Sequence, residues 1–231
     1  SNSFTKAVAA QQNGFHAGEI VPVITEKFEL EGYKSRGIKL LGKVTEVAQD
    51  THARISPADV LAKLRPVYEG GVQTGGNSAA LVDAAAAAVV ASGAYVKNWS
   101  HSQNKKPLAR VVAAAVVGVP PEIMGIGPAP AIRLLLERSG LTLDQIGRFE
   151  INEAQGAQTL AVGRDLGLDL SKLNVNGGAI ALGHPLATTG VRLTITLARE
   201  MKQAGVRWGI ASACIGGGQG IALLLENTEH S

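Results

Sequence analysis

The chain is 231 residues long, 45% hydrophobic, 18% charged and only 4% aromatic, enough for one or two domains with a core filled by Ala and Val instead of rings. Its 22 basic and 19 acidic residues leave a net charge of +3, scattered apart from one doublet at Lys105-Lys106, which is not the concentrated footprint of a nucleic-acid-binding protein. The single cysteine, Cys214, excludes an internal disulfide and a Cys-rich zinc site and points to a reducing compartment, the cytoplasm. The apolar run at residues 84–91 is too short and too alanine-rich to span a membrane, and no apolar leader is read at the start.

Taken in chain order, residues 4–13 read as a helix ended by Gly14, and residues 19–24 as an extended segment that Pro22 confines to an edge. Residues 25–76 are polar and punctuated by glycines, like an excursion or cap, with Ser56 and Pro57 placed to open a helix. Residues 83–92 are predicted helical on alanine propensity, and the polar stretch 97–107 is the expected boundary. From there a regular α/β rhythm begins. A strand over 111–119, β-branched and Ala-rich, is expected to be buried on both faces. It is followed by a helix from 128 to 138 stopped at Gly140 and a capping box at Thr142 and Gln145. A short strand at 148–151 and a helix over 153–166 closed by Gly167 come next. A helix over 189–203, with Leu193, Leu197 and Met201 in one stripe, precedes two strands at 208–214 and 220–225 that are expected to pair antiparallel.

Two glycine-rich loops carry the candidate chemistry. Asn176-Gly-Gly-Ala-Ile-Ala-Leu-Gly-His184-Pro presents a histidine whose backbone is restricted by the following proline, and Cys214-Ile-Gly-Gly-Gly-Gln-Gly presents the cysteine. A neutral imidazole can take a thiol proton or donate to an oxyanion, and a tuned thiol can exchange protons with carbon; a satisfied core histidine and an inert buried cysteine are the plain alternatives. Asn152, at a strand end, either holds a water or substrate oxygen or caps the next helix. Glu153 would favour that helix's dipole. The remaining histidines, His16, His52, His101 and His230, read as surface residues. Nucleotide-type and phosphate-loop glycine motifs and the nucleophile elbow are absent from the sequence.

Four ordered blocks resemble the thiolase family: Met124-Gly-Ile-Gly-Pro, Asn152-Glu-Ala, Gly177-Gly-Ala-Ile-Ala-Leu-Gly-His184-Pro and Cys214-Ile-Gly-Gly-Gly. Upstream, Phe15-His-Ala-Gly-Glu-Ile-Val-Pro and Thr74-Gly-Gly-Asn77 echo it too. The resemblance implies a layered αβαβα fold, of which this chain gives the C-terminal half at 108–231, a segment at 77–107 completing the N-terminal half, and the remainder of a cap at 1–76. It implies an acyltransferase that cleaves a 3-ketoacyl-CoA with CoA or runs the reverse Claisen condensation, with CoA as substrate and no permanently bound cofactor or metal. In that reading His184 activates a nucleophilic cysteine, Cys214 exchanges the α-carbon proton, Asn152 positions a water beside His184, and the Gly216 N–H binds the thioester oxygen. Met124, Gln155 and Ser78 fall to substrate binding. Gln155 replaces the usual Phe, Ala79 stands where a CoA-facing Ser is usual, and Ala187 replaces a Gly.

Since Cys214 belongs to the later loop, the N-terminal nucleophile domain is expected to be lacking and to come from a second polypeptide, in a dimer or tetramer of such pairs. Residues 77–107 would otherwise show unpaired edges and apolar faces. An inactive thiolase-like scaffold subunit and a stand-alone Cys/His hydrolase are the competing readings. Neither nucleic acid nor membrane is an expected partner.

Overall fold

The computed structural model describes residues 1–29, 31–32, 34–103 and 106–230. Helix α1 (Asn2–Gln12) is followed by four very short strands, β1 (Val23–Ile24), β2 (Glu26–Phe28), β3 (Arg36–Ile38) and β4 (Glu46–Val47), and by the single turn α2 (Ala58–Leu61). β1 pairs with β4 and β2 with β3, both antiparallel, as two small ribbons. After helix α3 (Gly93–Gln103) come β5 (Arg110–Gly118), α4 (Pro128–Ser139), β6 (Arg148–Ile151), α5 (Gly156–Leu166), α6 (Ala179–Leu182), α7 (Thr189–Gln203), β7 (Trp208–Ile215) and β8 (Gln219–Glu226).

The core is a four-stranded sheet in the order β5-β8-β7-β6. β6 and β7 run parallel, and β8 is antiparallel to both its neighbours. Successive side chains on β7 and β8 enter opposite layers, as a strand period of two requires. Ile210 and Leu224 pack with Ile132 and Leu135 of α4 and with Phe149, while Ala211 and Leu225 pack with Leu193, Leu197 and Met201 of α7. Burying each of those α7 side chains contributes roughly 2 kcal/mol, so the predicted stripe is the helix's core face. The stops at Gly140 and Gly167 hold, both left-handed, at φ +64° and +67°, and the capping box at Thr142 and Gln145 is made.

The fold departs from sequence expectation in several places. The segment 83–92 is not helical: residues 79–92 run without regular structure, and the helix is α3, which begins at Gly93 and runs into the expected boundary at 97–107. Alanine propensity is overridden because the backbone here is held from outside: Ala80 O accepts from His184 N at 3.0 Å and Ala84 O from Thr188 Oγ1 at 2.7 Å. Along this segment Leu81 is 100%, Val89 97% and Val90 83% exposed. β5 is an edge strand whose valines 111, 112 and 116 are exposed, not a strand covered on both faces. α5 starts three residues later than predicted, and Pro57, not Ser56, precedes α2; the Ser56 hydroxyl turns to Arg54 O. His16 is buried, its Nε2 bonded to Asn176 O at 3.1 Å. Lys105 of the basic doublet lies outside the described residues.

Beyond β6 the chain needs a partner for its free edge, and Asn174 supplies one. Its side-chain amide accepts from Ile151 N and donates to Ile151 O, both at 2.8 Å, as a neighbouring strand would. It is the one non-glycine with positive φ (45°) among the described residues, a conformation Asn tolerates better than most side chains.

Candidate active site

β6 and β7 end side by side. The Asn152 N–H, one residue past β6, donates to Ser212 O at 2.9 Å, and β7 carries on two residues to Cys214. Asn152 and Cys214 therefore share the carboxyl edge of a parallel pair, the edge where α/β sheets bind ligands. Asn152 is 1% exposed. It does not cap α5, whose first residue is Gly156 and whose N-cap is Gln155. Its side-chain Nδ2 instead reaches His184 Nε2 at 3.3 Å, leaving Oδ1 buried without a partner.

The His184 loop is fixed at both ends. At its base, the Glu153 carboxyl group accepts from Ser3 Oγ at 2.6 Å, Asn174 Nδ2 at 3.0 Å and Ile180 N at 3.3 Å, so Glu153 clamps the loop and does not serve the helix dipole. A Cβ on Gly178 would collide with that carboxyl group, and Gly183, at φ +99°, packs on Val82. At its tip, His184 Nδ1 lies 2.6 Å from Thr189 Oγ1. Burial, then the charge of Arg192, holds the His184 pKa below the ordinary histidine value, so the imidazole is neutral at pH 7 and able to act as a base.

Cys214 is half-buried, and burial pushes its thiol pKa up, partly offset by its own backbone. It rests as a thiol, a proton donor, and not as a thiolate nucleophile. No hydrogen bond joins it to His184 or Asn152 among the described residues. Its register partner on β8 is Gly220, and the intervening turn takes positive φ at Gly217 (86°) and Gly218 (92°), with open space beside Gly216. Gly220 lacks a Cβ of necessity, because the Gly127 backbone lies against it. That contact brings the half-buried Met124 turn to the Cys214 loop. Ser78 and Gln155 also meet, as an antiparallel bridge; Ser78 Oγ is buried without a partner and Gln155 is exposed. Leu81, Asp83, His184 and Leu186 are among the walls of a cavity of about 590 Å³. Thr189, Arg192 and Glu150 were not singled out by the sequence; a threonine five residues past the histidine, at a helix start, was the available signal for the first.

Beneath α7, Arg192 Nη1 stands 3.4 Å from the fully buried Glu150. Desolvation raises the Glu150 pKa to about 8, against the pull of Arg192 and with the repulsion of Glu153, Glu19 and Glu200 adding to the rise. An unfolded carboxyl titrates near 4.5, so between those values the folded chain binds the extra proton and stability falls as pH rises. Replacing Glu150 by Gln, a neutral isostere, is expected to raise the melting temperature by about 5 °C or more at pH 9 and to leave it unchanged at pH 4. A melting curve shifted equally at both pH values would show that Glu150 is not protonated in the folded chain.

No helix among the described residues is long and apolar enough to cross a membrane, and no cluster of His, Cys, Asp or Glu among them suits a metal. Comparison with known proteins finds the C-terminal domain of thiolase at residues 105–227 and the N-terminal domain of thiolase at residues 1–94. The second match corrects the expectation that the N-terminal domain is lacking. Acetyl-CoA acetyltransferase of Syntrophomonas wolfei is 43% identical over 229 residues, 97% of this chain and 53% of that protein. The human mitochondrial 3-ketoacyl-CoA thiolase is 44% identical over 222 residues, 95% of this chain and 52% of that protein. A crystal structure of the latter in complex with CoA superposes with a TM-score of 0.80 at 38% identity, over 98% of this chain and 52% of that one. The chain thus spans about half the length of the curated relatives it matches.

Proposed function

The chain belongs to the thiolase family, and we propose that it supplies the acid–base half of a thiolase active site, for CoA-dependent cleavage of a 3-ketoacyl-CoA or the reverse condensation. The nucleophilic thiol comes from a second polypeptide. The observation that carries this reading is the pairing of His184 Nε2 with Asn152 Nδ2 at 3.3 Å on the sheet edge that also bears Cys214. A neutral His184 takes the proton of the incoming thiol as that thiol attacks the 3-keto carbon. The C2–C3 bond then breaks, and Cys214, resting protonated, gives its proton to the α-carbon of the departing acetyl thioester. The buried, unpartnered Asn152 Oδ1 suits a bound water, which with His184 would face the oxyanion. The Gly216 N–H, beside open space, serves the thioester oxygen, and Met124, Ser78 and Gln155 lie along the route of the substrate.

The only cysteine in the chain is Cys214, and its place in the glycine turn gives it the proton-transfer role. Residues 77–107 complete the sheet of the first half, 1–76 form the cap remainder and 108–231 the C-terminal domain. The exposed Leu81, Val89 and Val90 are the surface a partner's sheet covers, which makes the working particle a hetero-oligomer. A reducing cytoplasm, keeping the Cys214 thiol free, is the compartment this reading assumes.

Native mass spectrometry followed by denaturing mass spectrometry of the same sample tests the proposal. A second polypeptide with a thiol that becomes acylated by acyl-CoA is the expected result. A particle containing this chain alone, with no acylated thiol, overturns it in favour of a thiolase-derived binding subunit.

A further inference from the structure

We infer that Thr189 is a positioning residue that sets which nitrogen of His184 carries the proton. The hydrogen bonds around the ring can be followed one donor at a time. Asn152 Nδ2 has hydrogens to give and stands 3.3 Å from Nε2, so Nε2 meets it with a lone pair. The neutral ring then carries its hydrogen on Nδ1, which lies 2.6 Å from Thr189 Oγ1. A threonine hydroxyl has one hydrogen, and that of Thr189 goes to Pro185 O at 3.0 Å, four residues back at the start of α7. With its hydrogen committed, Oγ1 is left as an acceptor, the role that Nδ1–H requires. The second nitrogen's partner determines the tautomer of a functional histidine.

The placement is rigid for stated reasons. Thr189 is 3% exposed and is the first residue of α7, whose stripe of Leu193, Leu197 and Met201 is anchored in the core. Its neighbour Thr188 is bonded to Ala84 O, and Arg192, one turn further along α7, disfavours a charged ring. The result is a basic lone pair on Nε2, the nitrogen beside Asn152. The opposite tautomer would need the Asn152 amide turned over and the Thr189 hydroxyl released from its carbonyl.

The kinetic part of this inference rests on the thiolase reading of the site; the proton position does not. The test is nitrogen-15 NMR of the histidine-labelled chain at pH 7.5, with His184→Gln identifying the resonances. The expected spectrum shows His184 with a protonated Nδ1 and an unprotonated Nε2. In Thr189→Val, which keeps the shape and removes the acceptor, the Nε2–H form is expected to become substantial, while Thr189→Ser restores the original pattern. In the assembled enzyme, kcat is expected to fall roughly tenfold or more in Thr189→Val and to recover in Thr189→Ser, as for other residues that orient a functional imidazole. A wild-type ring protonated on Nε2, or a pattern unmoved by Thr189→Val, overturns the inference. If Thr189→Val does not fold, Thr189→Ala, which also removes the acceptor, takes its place with the same expected and overturning results. An Nδ1–H ring in a particle without thiolase activity leaves the proton position standing and counts against the proposed function alone.

Discussion

His184→Ala and Cys214→Ala are each expected to lower the rate of thiolysis by at least about 100-fold in the particle that contains both halves of the site, the scale for losing a positioned acid or base. The two losses differ in kind. His184, neutral and facing Asn152, is assigned to the incoming thiol and the oxyanion, so its removal slows acylation of the nucleophile as well as carbon–carbon cleavage. Cys214, which rests as a thiol, is assigned only to the α-carbon, so Cys214→Ala is expected to retain acylation and to lose exchange of the acetyl α-protons with deuterated solvent. Stopped-flow thiolysis, acyl-enzyme mass spectrometry and deuterium incorporation separate these outcomes. Rates within a few-fold of wild type for both variants would remove the catalytic assignment.

Glu153→Ala is expected to be the most damaging single truncation for stability. The carboxyl group takes hydrogen bonds from Ser3, Asn174 and Ile180 in a site where Glu153 is buried. Removing it strands three donors and opens a cavity, a cost of about 3–5 kcal/mol. For a chain of this size that corresponds to roughly 10 °C in melting temperature. Because Asn174 also pairs the edge of β6, the loss should spread to the strand end that carries Asn152. Amide hydrogen exchange is expected to quicken at residues 174–184 before it quickens in α4. A melting temperature within about 2 °C of wild type would show that water replaces the carboxyl group and that the clamp is not structural.

The C-terminal domain was legible where local signals and tertiary packing agree. The stripe on α7 defined its buried face, and Gly140 and Gly167 stopped their helices in the left-handed conformation that glycine accepts without strain. Reading failed where the deciding partner is distant in sequence. Residues 83–92 have the composition of a helix, but the Ala84 carbonyl is taken by Thr188, and the Ala80 carbonyl just before the segment by His184, each about a hundred positions away. β5 has the composition of a central strand, yet among the described residues only β8 pairs with it. His16 stands in a glycine-flanked stretch that reads as a turn, and it is buried with its ring bonded to Asn176 O, 160 positions away. The candidate site showed the same division. Its glycine loops announced His184 and Cys214, whereas Thr189, Arg192 and Asn174 around the His184 loop have ordinary neighbours and gain their importance from contacts made in the fold.

Residues 80–82 form one stretch of backbone with two unlike sides. Val82 fills the hollow at Gly183, and Ala80 O holds the His184 backbone, while Leu81, between them, is fully exposed. Inner and outer residues of one extended stretch therefore report to different audiences, one to the histidine and the other to whatever covers the surface. The exposed side of this stretch and the seat of the imidazole on its inner side are thereby joined through one run of backbone.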